Sequence, residues 1–80
     1  MIWMTEIVLV LMMLEPDTER DVLSQLRAIQ NVSEAHFLYG PYDAYVRAEA
    51  KTTGELENLV LDSIRSIKGV RSTTTCFIAD

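Results

Sequence analysis

A single cysteine, Cys76, leaves this chain without an intrachain disulfide, so packing alone must stabilise it, and its simplest compartment is a reducing cytosol. The one histidine, His36, has no second imidazole and no cysteine near it, which gives no metal-ligand spacing. Basic residues are scarce: 7 Lys and Arg stand against 12 Asp and Glu, for a net charge of −5. A phosphate backbone finds no electrostatic footprint here, which argues against direct nucleic-acid binding. No apolar run is long, since Ile7 to Leu14 is only eight residues and cannot span a bilayer. Glu6 precedes that run and no Lys or Arg occurs before Arg20, unlike a signal peptide. Two prolines and three glycines in a chain that is 49% hydrophobic also exclude a disordered composition. What remains is one small domain over residues 1–80, of a size that buries only about 60–65% of its unfolded surface and gains from association.

The centre of the sequence is a reversal, Leu38-Tyr39-Gly40-Pro41-Tyr42-Asp43-Ala44-Tyr45-Val46. Gly admits positive φ and Pro presets the first central position of a turn, so two strand-like runs, Val32 to Tyr39 and Tyr42 to Ala50, should pair as an antiparallel hairpin. Asp43 sits among bulky apolar neighbours and must be solvated or paired; it either bonds nearby backbone N–H groups and shapes the turn or serves a ligand. Upstream, Thr5 to Leu14 is apolar at every position from Ile7, without the alternation of a half-wet strand. Such a strand needs both faces covered and belongs in the middle of a sheet. Glu15-Pro16-Asp17-Thr18 starts a helix, with Thr18 and Asp21 as a weak capping pair and Val22, Leu23, Leu26 and Ile29 as its apolar stripe. Gln30-Asn31 is expected to end it through a left-handed Asn. Thr52-x-x-Glu55 has capping-box spacing and opens a second helix, whose stripe is Leu56, Leu59, Val60, Ile64 and Ile67 and whose terminator is Gly69. The last strand, Val70 to Ala79, puts Val70, Ser72, Thr74, Cys76 and Ile78 on one side and Arg71, Thr73, Thr75 and Phe77 on the other.

The two halves repeat at an offset of 38 residues. Leu26-Arg27-x-Ile29-x-x-Val32 matches Ile64-Arg65-x-Ile67-x-x-Val70, and Val22-Leu23 falls on Val60-Leu61. Two strand-helix-strand units joined by a hairpin give the α+β, ferredoxin-like order βαββαβ: a four-stranded antiparallel sheet with two helices on one face. The other face is bare. Left open, the apolar first strand would expose a patch of several hundred Å², roughly the largest that soluble monomers carry, so the bare face calls for a second copy in a two-fold dimer.

Gly-x-Tyr-Asp, as in Gly40-Pro41-Tyr42-Asp43, and the run Gly69-Val70-Arg71-Ser72-Thr73-Thr74-Thr75 after a helix end resemble the regulatory (effector-binding, RAM) domain of the Lrp/AsnC, or feast/famine, transcription regulators. The resemblance covers nearly the whole chain. In that family an N-terminal helix-turn-helix domain precedes this one, whereas here the first strand begins almost at Met1, so the chain resembles the stand-alone members. The resemblance implies a face-to-face homodimer of the dimeric α+β barrel type, assembly into an octamer or similar ring, and an amino-acid effector bound between dimers. It implies ligand-binding roles for Gly40, Tyr42, Asp43, Thr73 and Thr75, no catalytic residue, no cofactor and no metal. Asp43 could accept from an ammonium group, and Thr hydroxyls and turn N–H groups could donate to a carboxylate. Pro41 lies where relatives often carry a polar residue and removes one N–H donor. With no DNA-reading half, output would pass through a partner such as a full-length Lrp/AsnC regulator.

Duller roles are open for several of these residues. Thr73 and Thr75 also suit a strand at an interface, and Tyr39, Tyr42 and Tyr45 suit hairpin and interface packing. Cys76 reads as a buried structural thiol, Trp3, Met12 and Met13 as filler, and the acidic cluster Glu15, Asp17, Glu19 and Asp21 as a response to the helix macrodipole. Three rivals share the topology. A small cofactorless enzyme would need an acid or base in a pocket, and only His36, Asp43 and the tyrosines are candidates, with no activating partner at readable spacing. An RNA-binding module would need a basic, aromatic sheet face. An ACT-like amino-acid sensor differs only in how it associates.

Overall fold

The central strand is β1 (Glu6–Leu14), and the computed structural model, which describes residues 5–78, shows how its unbroken apolar run is used. Val8, Val10 and Met12 are fully buried and Leu14 nearly so, while Ile7, Leu9, Leu11 and Met13 are half-buried on the opposite face. After β1 come α1 (Glu19–Arg27), β2 (Val32–Phe37), β3 (Ala44–Ala50), α2 (Thr53–Asn58) and β4 (Val70–Phe77), with α2 running on as π-helical turns over Leu59–Ile64. The sheet order is β2-β3-β1-β4, and every neighbouring pair is antiparallel. This is the βαββαβ arrangement expected from the sequence, with β1 inside the sheet as its composition requires.

Both helical stripes lie in the core. Val22, Leu23 and Leu26 of α1, and Leu56, Leu59, Val60, Ile64 and Ile67 of the second helical segment and its exit, pack with the even-numbered residues of β1 and with Ala44, Val46 and Ala48 of β3. Burying a side chain such as Leu26 or Leu56 contributes about 1.5–3 kcal/mol. Residues directly opposite in an antiparallel pair share a face. Leu9 and Leu11 of β1 are therefore flanked by Arg47 and Tyr45 of β3 and by Cys76 and Thr74 of β4, all on the face without helices. His36 stacks on Tyr45 there, ring centroids 5.8 Å apart.

Local chemistry departs from the sequence reading in several places. Thr52 caps α2 as the capping box predicts: its hydroxyl oxygen accepts from the Glu55 N–H at 3.1 Å. Thr18 makes no side-chain cap, because its hydroxyl instead donates to the Glu15 carbonyl at 2.7 Å across the preceding turn. The helix stops at Arg27, with Ala28 at its cap still in the right-handed region, and Asn31 is not left-handed; its side-chain amide donates to the Glu49 carbonyl of β3 at 2.9 Å. That cross-strand bond outweighs the local preference. Cys76 is exposed and not buried, since its partner in the ladder is Leu9 on the open face. Trp3 lies outside the described residues.

Candidate functional site

The hairpin strands end earlier than their composition suggests, at Phe37, and restart at Ala44, leaving a six-residue loop over 38–43. The Leu38 N–H closes it by donating to the Asp43 carbonyl at 2.9 Å. Gly40 adopts φ 144°, a conformation that L side chains rarely take. Asp43 ties this loop to the end of β1. The β1–β3 ladder ends at Met12 opposite Ala44; beyond it the Asp43 N–H donates to the Met12 carbonyl at 2.9 Å, and Asp43 Oδ2 accepts from the Leu14 N–H at 2.8 Å. The carboxylate thus stands in for the partner that Leu14 lacks on its β3 side, its other edge being paired with Val70 of β4. It does bond backbone, as one of the two readings of Asp43 held, but the N–H belongs to a distant strand and not to its own turn. A cleft of about 360 Å³ beside it is lined by Glu19, Phe37, Leu38, Tyr39 and Asp43. Tyr39 is fully exposed at the tip, and Tyr42 is half-buried.

Thr73 and Thr75 face a different space. A groove of about 680 Å³ runs between the second helical segment and the edge strand β4. Its helical wall includes Glu57, Asn58, Val60, Leu61 and Arg65, and its strand wall Arg71, Ser72, Thr73, Thr75 and Phe77. The odd-numbered side of β4 turns this way because Thr73 and Thr75 lie opposite Met12 and Val10, which face the helices. The five residues picked from sequence therefore divide. Thr73 and Thr75 share the groove, whereas Asp43 lines the separate cleft at the loop and no residue lines both spaces. Asp43 and Thr73 nevertheless flank the same end of β1, about two strand spacings or ~9.6 Å apart.

Arg65 and Arg71, which also line the groove, were not among those five. Arg71 was readable from the period of two, which places it with Thr73, Thr75 and Phe77. Arg65 lies two turns after Asn58 and one after Leu61, but nothing in the sequence says that this helical face meets β4.

A second polar group occupies the open face. The Tyr45 hydroxyl donates to Glu34 Oε1 at 2.9 Å, which, with burial and the nearby carboxylate charge, raises the phenol above its ordinary value, although Arg47 opposes the shift. Arg47 also bonds Ser33 and pairs with Glu49. Among the described residues no group of three His, Cys, Asp or Glu could hold a metal ion, and no helix is long and apolar enough to cross a membrane.

Known proteins share this arrangement. The sequence profile of the Lrp/AsnC ligand binding domain matches residues 7–80. An uncharacterized HTH-type transcriptional regulator of Pyrococcus horikoshii, PH1916, is 33% identical over 69 residues, which are 82% of this chain and 46% of that protein. The chain thus spans about half the length of the curated regulators it matches. Homocitrate synthases of Saccharolobus islandicus are 42% identical over 57 residues, but those cover 71% of this chain and only 12% of the enzyme. Among solved structures, hypothetical protein PHS023 from Pyrococcus horikoshii superposes with a TM-score of 0.87 at 30% identity, covering 92% of this chain and 89% of that one. The L-Met complex of a transcriptional regulator from Neisseria meningitidis has the same fold, with a TM-score of 0.86 at 19% identity over 94% of this chain and 50% of that one. With its strand order, its two-helix layer and a profile match across all but its first six residues, the chain belongs to the Lrp/AsnC ligand-binding domain family.

Proposed function

We propose that these 80 residues form a small-molecule sensing and oligomerisation module whose effector is an amino acid and whose action on transcription passes through a partner regulator in the cytoplasm. The observation that carries this reading is the family match over residues 7–80. The uncovered row Ile7, Leu9, Leu11 and Met13 supports a homodimer through the open sheet faces, with dimers assembling further into an octamer or similar ring. The L-Met complex of the Neisseria regulator supports the amino-acid class. A net charge of −5 supports indirect action, because this surface does not attract DNA.

Gly40, Tyr42 and Asp43 at the loop and Thr73 and Thr75 in the groove are the residues proposed to meet the effector. They lie at one end of the sheet but in separate spaces, so a site shared between neighbouring dimers would bring the loop of one chain to the groove of another. Binding there favours the assembly that contains the complete site, by a coupling of about 1–3 kcal/mol. No catalytic role is proposed, and the enzymes that match do so over 12% of their length. Thermal unfolding in the presence of each of the twenty amino acids tests the reading. An effector at about 100 times its Kd adds roughly 2.7 kcal/mol, which for a domain of this size raises Tm by about 10–20 °C. A Tm that moves with none of the twenty contradicts it.

A further inference from the structure

Arg65 and Arg71 flank the turn that joins the second helical segment to β4, so both cations stand at one end of the groove. Among the described residues Arg65 makes no ion pair, and Arg71 has only a long contact, Nε to Glu15 Oε2 at 3.5 Å, with both side chains 55% exposed. Such a contact contributes little, so both guanidinium groups are available to a ligand. Thr73 and Thr75 add hydroxyl donors beside them, and Val60, Leu61 and Phe77 supply apolar wall further along. Leu61 is 54% and Phe77 39% exposed, so covering them adds favourable burial. The one carboxylate in the lining, Glu57, lies two helical turns from Arg65, toward the opposite end.

We infer that the groove is a carboxylate receptor, in which Arg65 and Arg71 hold the ligand's carboxylate and Val60, Leu61 and Phe77 hold an aliphatic or aromatic side chain. The inference rests on the effector-sensing reading and narrows it to one ligand class and two further residues. Guanidinium groups present paired donors that match a carboxylate's two oxygens, which a lone Thr hydroxyl cannot do. The ammonium group is then secondary. A branched-chain 2-oxo acid binds here as its amino acid does, and the corresponding amine does not.

The test is NMR titration of the intact chain with each of the twenty amino acids, with 4-methyl-2-oxopentanoate and with isopentylamine. The signals followed are the Arg65 and Arg71 Nε–H groups, the Thr73 and Thr75 amides and the loop amides over 40–43. L-Leucine or another apolar amino acid and the oxo acid are expected to shift the arginine and threonine signals, and isopentylamine to shift none. Arg65→Gln and Arg71→Gln, each with an unchanged circular dichroism spectrum, are expected to weaken binding at least about tenfold, the scale of one charge-assisted hydrogen bond. Binding of isopentylamine, or of acidic amino acids alone, overturns the carboxylate receptor. So does an amino acid that moves only the loop signals and binds both Arg variants normally, although that result leaves the effector-sensing reading intact. A protein that binds nothing in the panel removes both.

Discussion

Removing the Asp43 carboxylate should loosen the hairpin from the central strand. Oδ2 accepts from the Leu14 N–H at 2.8 Å, just past the last β1–β3 rung, and Leu14 is only 5% exposed. A hydrogen bond to a charged acceptor contributes about 1.5–3 kcal/mol, and losing it also leaves a desolvated donor. Because the bond is only partly buried, water can replace some of it, so Asp43→Ala should cost about 1.5–2 kcal/mol. For a domain of this size each kcal/mol moves Tm by about 4–8 °C, which predicts a fall of roughly 6–16 °C. Asp43→Asn keeps an acceptor without the charge and should lose about 0.5–1 kcal/mol. Urea unfolding at one fixed protein concentration, without added amino acids, separates these cases from ligand and assembly effects. An Asp43→Ala protein within 0.5 kcal/mol of the parent would refute the strand-tying role. Loss of effector binding in the well-folded Asp43→Asn protein would add a ligand role to the structural one.

Gly69→Ala should lose about 2–4 kcal/mol in the same assay, since Gly69 has φ 109° and an added Cβ would lie 2.6 Å from Thr18 Oγ1 and 2.8 Å from Val22 Cγ2. Gly40→Ala is the control: with φ 144° but nothing within 4 Å, it should cost only backbone strain, about 1–2 kcal/mol. Tyr45 should ionise above the usual tyrosine range, followed by phenolate absorbance, with Glu34→Gln bringing it back down. The folded state favours the neutral phenol. Its contribution is therefore complete below the unfolded value near 10 and lost as pH rises through the higher folded value; an inflection at or below 10 would contradict the bond to Glu34. Leu11→Lys places a charge in the middle of the open apolar row and should reduce the sedimenting mass to that of a monomer while the circular dichroism spectrum is retained. An unchanged mass would mean that the sheet face is not the dimer interface.

The architecture was legible because its largest energies follow simple periods. β1 is apolar on both sides and occupies the interior of the sheet, and the two helical stripes repeat at an offset that makes each half the same unit. Legibility failed where a hydrogen bond to another partner competed with the expected local one. Asn31 has the composition of a left-handed helix exit, yet its amide is used by Glu49; Thr18 has the composition of a cap, yet its hydroxyl is used by Glu15. Cys76 was misplaced for a different reason. Its own side of β4 carries Val70, but the open face has no helix to cover it, and a bulge between Met13 and Leu14 shifts the register before Val70 is reached. The site was legible only in part. The period of two placed Thr73 and Thr75 together, but their separation from Asp43, and the presence of Arg65 beside them, depend on how the helix lies across β4.

If effector binding and assembly are one equilibrium, the light-scattering mass of the purified protein, with and without each of the twenty amino acids, should report both at once. The expected mass is a multiple of the dimer and shifts with one amino acid, the shift being abolished in Arg71→Gln if the groove holds the carboxylate. A monomer whose mass responds to no amino acid would contradict both the buried sheet face and the sensing function.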